Sequence, residues 1–229
     1  VINRKTVLVA ACALPAMIAS QALAVDTVMS FGFTDLSGRF IGDGMGNGSF
    51  TADAVATVAL PSAGDVTRLT APNGTATFAN NFVSIGGGFN LNLSVFANDG
   101  MVALGMGSFT ITDLDGDTIT GQIDGFWVKG GLSQTFFNGN LYNVTLNDNG
   151  TLDDMFNGTS GAFQMSNIGG PAPSLEGALV QLFLRPAANF FITNFDGVST
   201  QVSGEIVPTP GAAALAGLAG LAALRRRRK

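Results

Sequence analysis

Ten Asx-Gly dipeptides fall between residues 43 and 197 of this chain: Asp43-Gly44, Asn47-Gly48, Asn73-Gly74, Asp99-Gly100, Asp115-Gly116, Asp124-Gly125, Asn138-Gly139, Asn149-Gly150, Asn157-Gly158 and Asp196-Gly197. Asn, Asp and Gly tolerate the left-handed backbone of tight hairpins, so each is a candidate turn. Apolar and polar residues alternate between them. Phe89, Leu91, Leu93 and Val95 share one face, with Asn90, Asn92 and Ser94 on the other. Tyr142, Val144 and Leu146 alternate with Asn143 and Thr145. This period of two, with no comparable 3.6-residue period between Val25 and Ile206, predicts an all-β domain. Its expected form is an antiparallel β-sandwich (jelly-roll-like) or a closed barrel.

Composition agrees. Gly numbers 31 and Phe 18, with hydrophobic residues at 46% and charged ones at 12%. That mixture suits short packed strands better than long helices or disorder. Leu179 to Leu184 and Phe190 to Ile192 are nearly all apolar and read as strands covered on both faces. Gly169 to Pro173 reads as a surface loop, because too little chain follows it for a second core. The Val198 to Ile206 strand is expected to close the sheet beside an earlier one.

One hairpin carries its own register. Over residues 108–123, Phe109, Ile111, Ile119 and Ile123 are all odd-numbered. A shared face then requires a loop of odd length. Asp115-Gly116-Asp117 meets that condition, with Leu114 opposite Thr118 and Phe109 opposite Ile123.

Charge is distributed unevenly. Of 11 basic residues, Arg4 and Lys5 open the chain and Arg225 to Lys229 close it. The middle keeps four basic residues against all 16 acidic ones, a net −12. So acidic a domain repels phosphate backbones, which argues against nucleic-acid binding. There is no histidine, and the single cysteine, Cys12, precedes the domain. The domain therefore has no disulfide, no thiolate or imidazole ligand and no histidine base.

Residues 1–24 have the three parts of a secretory signal. Arg4 and Lys5 are the basic start, Thr6 to Ile18 is the apolar run, and Ala22-Leu23-Ala24 offers small residues for signal peptidase. Cleavage is expected before Val25. Val9 to Cys12 loosely resembles a lipoprotein box, but too little apolar chain precedes Cys12.

At the other end, Val207, Pro208, Thr209 and Pro210 precede a run of only Gly, Ala and Leu from Gly211 to Leu224. Arg225, Arg226, Arg227, Arg228 and Lys229 then end the sequence. As a helix this run spans roughly 21 Å, against roughly 30 Å of bilayer core. The basic end should stay cytoplasmic, which places the domain outside. This arrangement resembles the PEP-CTERM sorting signal, which has a Pro-x-Pro motif, an apolar helix and a terminal arginine cluster. Thr209 stands where that family usually has glutamate. The resemblance covers residues 207–229 and implies processing by an exosortase-like membrane protease. The chain thus divides into a signal peptide (1–24), an acidic extracellular domain (25–206) and a sorting tail (207–229). A signal helix and a transmembrane-type helix flank the domain.

Candidate ligand sites are few. Asp113, Asp115 and Asp117 alternate as in a calcium loop. An EF-hand, however, needs glycine sixth and glutamate twelfth, whereas here Gly116 is fourth and Asp124 twelfth. The plain reading is acidic residues solvating a hairpin tip, so no cofactor is required and calcium is the one candidate. Trp127 beside Phe126 suggests a sugar-stacking platform. Asp153, Asp154, Glu176 and Glu205 are the candidates for a glycosidase pair, although nothing in the sequence fixes their separation. No regular threonine array supports ice binding.

Together these features predict an exported, non-enzymatic surface or matrix protein, held briefly by its C-terminal helix before release to the cell surface or beyond. Its expected partners are signal peptidase and an exosortase-like protease. The alternative is a carbohydrate- or calcium-binding surface module, and the remote alternative is an extracellular glycoside hydrolase. An exposed aromatic groove favours binding, a featureless convex wall a structural role, and convergent carboxylates in a cleft a hydrolase.

Overall fold

The alternation becomes twelve antiparallel strands in the computed structural model, which describes residues 26–57, 60–131, 134–149, 151–170, 174–184 and 190–209. They are β1 (Met29–Gly42), β2 (Gly48–Asp53), β3 (Ala63–Arg68), β4 (Gly74–Phe78), β5 (Gly88–Phe96) and β6 (Val102–Thr112). There follow β7 (Thr118–Lys129), β8 (Thr135–Asn147), β9 (Met155–Asn157), β10 (Ala162–Gln164), β11 (Leu175–Leu184) and β12 (Phe195–Pro208). Among the described residues no helix is long and apolar enough to cross a membrane. The expected signal region, with Ala22, Ala24 and Val25, and residues 210–229 of the expected sorting tail lie outside the described residues.

Hydrogen bonding runs β1–β2–β5–β6–β7–β8–β11–β12 and returns to β1, so eight strands close a ring. Their neighbours follow chain order, a meander rather than the crossed order of a jelly roll. The closing strand is β12, paired on one side with β11 and on the other with β1. Closure leaves no free edge in the ring to recruit another chain.

The first strand serves two partners. Met29–Thr34 pair with β3, whereas Ser37–Gly42 pair with β2. Between them Asp35 takes φ +56°, at a register shift against β12. This kink lets the β3–β4 hairpin branch from the ring. The β9–β10 hairpin lies beside β4, through a Thr77–Ser160 bridge.

Inside the ring, Phe33, Phe40, Phe50, Phe109, Trp127 and Phe137 are fully buried. Inward glycines make room for them. A Cβ at Gly121 would come within 2.5 Å of the Phe109 ring, and one at Gly105 within 2.6 Å of Phe137. Much of the glycine content therefore serves aromatic packing rather than turns.

Three expectations need correction. Thr112 pairs with Thr118 and Phe109 with Gly121, a two-residue offset from the expected register. The parity is right, and Phe109, Ile111, Ile119 and Ile123 are all buried on one face. The tip moved to Leu114–Gly116 because the Asp113 carboxylate organises it, as described below. Second, β11 is not covered on both faces: Leu179 and Leu182 are buried while Gln181 is exposed, with a bulge between Leu179 and Gln181. Third, Phe190 and Phe191 are in a turn, with φ of 42° and 66°. Their rings plug the ring interior, Phe191 lying 4.9 Å from both Phe40 and Trp127.

Candidate functional site

Two groups of acidic side chains stand apart in this frame, one at a pole of the ring and one on its side wall. The polar group lies at the β6–β7 tip, where one oxygen from each of Asp113, Asp115 and Asp117 lies within 4.8 Å of the others. Asp113 and Asp117 are fully buried, so they do not solvate a tip. Asp113 Oδ1 accepts the backbone N–H groups of Asp115, Gly116 and Asp117 at 3.1, 2.9 and 2.8 Å. Its Oδ2 accepts the Asn157 N–H at 2.7 Å, tying the tip to β9. Asp117 Oδ1 accepts the Asn149 N–H at 2.7 Å, and Asp115 Oδ2 takes the Thr151 hydroxyl and the Asn157 amide.

Burial, and then the neighbouring Asp115 carboxyl, push Asp113 up to about 6. Burial also raises Asp115, but hydrogen bonds from Asp113, Thr151 and Asn157 outweigh it and hold that group low. As pH falls, Asp113 therefore takes up a proton before Asp115 does. Calcium requires six to eight oxygens. Most of these carboxylate oxygens already accept N–H or O–H donors; Asp115 Oδ1 has no partner among the described residues. The three aspartates fit a hydrogen-bonded knot joining the β6–β7 tip to the β8–β9 connection, and they supply at most a partial cation shell.

Trp127 is not a platform. It is fully buried, packed 5.0 Å from Phe50 and 4.9 Å from Phe137 between ring centroids. Alternation places its neighbour Phe126 on the opposite, outward face. The ring open to solvent is Phe126, 46% exposed.

Phe126 belongs to the side-wall group. Gly105, Gly125 and Gly139 lie in one register across β6, β7 and β8. Added Cβ atoms there would meet the Phe137 ring at 2.6, 2.9 and 2.7 Å. Their absence lets the backbone approach that ring and the facing strand closely. The outer side of this wall carries two adjoining depressions of about 760 and 660 Å³, sharing Met106, Asp124, Asn140 and Ala178. Leu104, Met106 and Phe126 give apolar surface, while Asn138, Asn140, Asp124, Glu176 and Glu205 give polar groups.

Two of the ten expected turns are in this wall. Asp124-Gly125 and Asn138-Gly139 lie in mid-strand, Gly125 opposite Gly139, with Asp124 and Asn138 pointing out. The sequence carried a signal for this. Continuing the odd-numbered buried face from Ile119 and Ile123 puts Gly125 and Trp127 inside, and Asp124 and Phe126 outside.

The glycosidase candidates separate. Asp153 accepts the Met155 N–H and Asp154 the Gln164 amide, both aspartates lying in the β8–β9 connection. Glu176 and Glu205 do line one depression, on the neighbouring strands β11 and β12. Of the expected sorting motif, Val207 and Pro208 pair with Glu176 and Leu175, and the Thr209 N–H donates to the Ser174 carbonyl. The ordered domain thus extends past residue 206.

Comparison with known proteins finds no matching family model, no matching curated protein and no matching solved structure.

Proposed function

We propose that the chain is an exported surface protein, sorted by its C-terminal tail, whose β domain is a non-enzymatic binding module for extracellular polysaccharide. The closed ring is taken as an up-and-down barrel standing on the tail-bearing pole. Met29 pairs with Ile206 there, so the first and last described residues leave from the same end. The observation that carries the binding role is the hollowed wall with its exposed Phe126 and outward Asp124, Asn138 and Asn140. An aromatic face beside hydroxyl-binding amides and carboxylates is the chemistry a sugar needs.

Catalysis is disfavoured because the glutamates sit on an open wall. A glycosidase acid is kept protonated by burial, whereas Glu205 is exposed and accepts the Thr27 hydroxyl at 3.3 Å.

Protein isolated from exporting cells should begin at Val25 and lack Arg225 to Lys229 by mass spectrometry. Replacing Pro208 and Pro210 with Ala should leave full-length chain in the membrane. Polysaccharide should co-purify and be recovered without new reducing ends. Steady-state membrane protein still carrying Arg225 to Lys229 replaces sorting with a plain tail anchor, and new reducing ends replace binding with hydrolysis.

A further inference from the structure

We infer that the side-wall groove takes a polysaccharide whose sugars carry free amino groups, an inference that rests on the binding reading above. On other parts of the outer wall, several polar side chains pair across strands. Ser49 donates to Asn92 at 3.2 Å, Thr120 and Thr145 share a hydrogen bond at 2.8 Å, Asn143 donates to Gln122 at 3.1 Å, and Asn90 donates to Asp53. In the groove this pairing stops. Asp124, Asn138, Asn140 and Glu176 have no side-chain hydrogen bond among the described residues, although Asp124 faces Asn140 directly across the β7–β8 ladder. Asp124 and Asn140 line both depressions, Glu176 one and Asn138 the other.

Charge selects the ligand class. Asp124, Glu176 and Glu205 are acidic, and no lining residue is basic. Uronate or sulfated polymers would meet repulsion there. An ammonium group donates charge-assisted hydrogen bonds to carboxylates, which neutral hydroxyls cannot equal. Phe126, Leu104 and Met106 then offer apolar surface to the C–H face of the ring. Each depression is within the roughly 300–1,000 Å³ of small-ligand sites, so the pair accommodates more than one sugar.

Calorimetry on the purified full chain distinguishes the possibilities, using oligomers of glucosamine, N-acetylglucosamine, glucose and a uronic acid, with oligolysine as a charge control. The glucosamine oligomer should bind at least roughly tenfold tighter than the others, the loss expected when a charged hydrogen bond is absent. Asp124→Asn and Glu176→Gln should each weaken it roughly tenfold. Asp65→Asn, an exposed carboxylate on β3, should not. Phe126→Ala should weaken the sugar and leave oligolysine unchanged, with an unaltered melt showing that the domain remains folded. Equal binding of glucose or N-acetylglucosamine oligomers, indifferent to Asp124→Asn, overturns the amine inference and leaves the polysaccharide reading standing. Oligolysine binding as tightly, with Phe126→Ala silent, reduces the groove to a charged surface and overturns it as a sugar site. No binding of any oligosaccharide overturns both.

Discussion

Asp113 and Asp124 belong to the same hairpin, and their carboxylates meet opposite fates. Asp113 is fully buried at the tip and accepts four backbone N–H groups from two chain segments. Asp124 projects from the outer wall beside a glycine floor and has no side-chain partner among the described residues. The tip aspartates have the alternating spacing of a ligand site, yet most of their oxygens are used in holding loops. Asp124 belongs to a dipeptide that reads as a turn, yet it faces a hollow large enough for a ligand. A carboxylate already surrounded by backbone donors has little capacity left for a ligand, whereas one held out on a rigid strand keeps it.

The largest separation between the two regions should be in stability. Asp113→Ala removes the acceptor for four N–H groups and leaves buried donors unmatched, a cost of about 3 kcal/mol. For a domain of this size that lowers the melting temperature by about 6–12 °C. Asp124→Ala should change it by only about a degree or two. Equal, small shifts at both positions would mean that the tip is wet and the contrast false.

That contrast was partly legible in the sequence. The alternating strands and the β6–β7 hairpin follow from the period of two and an odd-length turn, and the buried parity of Phe109, Ile111, Ile119 and Ile123 holds even though the register is offset by two residues. That the Val198 to Ile206 strand closes the sheet was legible, but its partner β1 was not, because pairing across so many positions, from Phe40–Phe195 to Met29–Ile206, leaves no local signature. The groove was hidden by Asx-Gly chemistry. Gly125 and Gly139 are there for close approach to the Phe137 ring, and a sequence does not distinguish that use from a left-handed turn. Trp127 drew the ligand assignment for its size, while parity alone assigns it to the core and Phe126 to the surface.

A smaller effect should appear with pH. The folded Asp113 is raised to about 6 from an ordinary 3.8, so the folded state binds its proton more tightly than the unfolded one. Its stabilising contribution is therefore full below the unfolded value and lost as pH rises through the folded one. Asp43 and Asp99 run the other way, held low chiefly by the backbone N–H groups of Met45 and Val102. Their contributions are present above 3.8 and lost as pH falls further. The melting temperature should rise by a few degrees from pH 7 towards pH 5 and fall again below about pH 4. Asp113→Asn should flatten the rise without touching the fall. A melting temperature that only declines from pH 7 to pH 4 would place Asp113 with the ionised surface carboxylates.

The smallest expected effect is that of calcium on the melt, and it tests the tip most directly. A cation there must compete with the N–H and O–H donors already on Asp113, Asp115 and Asp117, although Asp115 Oδ1 lacks a partner among the described residues. An incomplete shell of this kind belongs with weak extracellular sites, whose dissociation constants are about 0.1–1 mM. At about 1 mM calcium, mass action then adds roughly 0.4–1.4 kcal/mol, or about 1–5 °C over a chelator-treated sample. Asp115→Asn should remove that increment while leaving the chelator-treated melt nearly unchanged, since the amide retains an acceptor for Thr151. A calcium shift of tens of degrees demands a dissociation constant many orders lower. That result requires a full coordination shell in place of the hydrogen-bonded knot, and the tip would become a built metal centre on which the domain depends for folding.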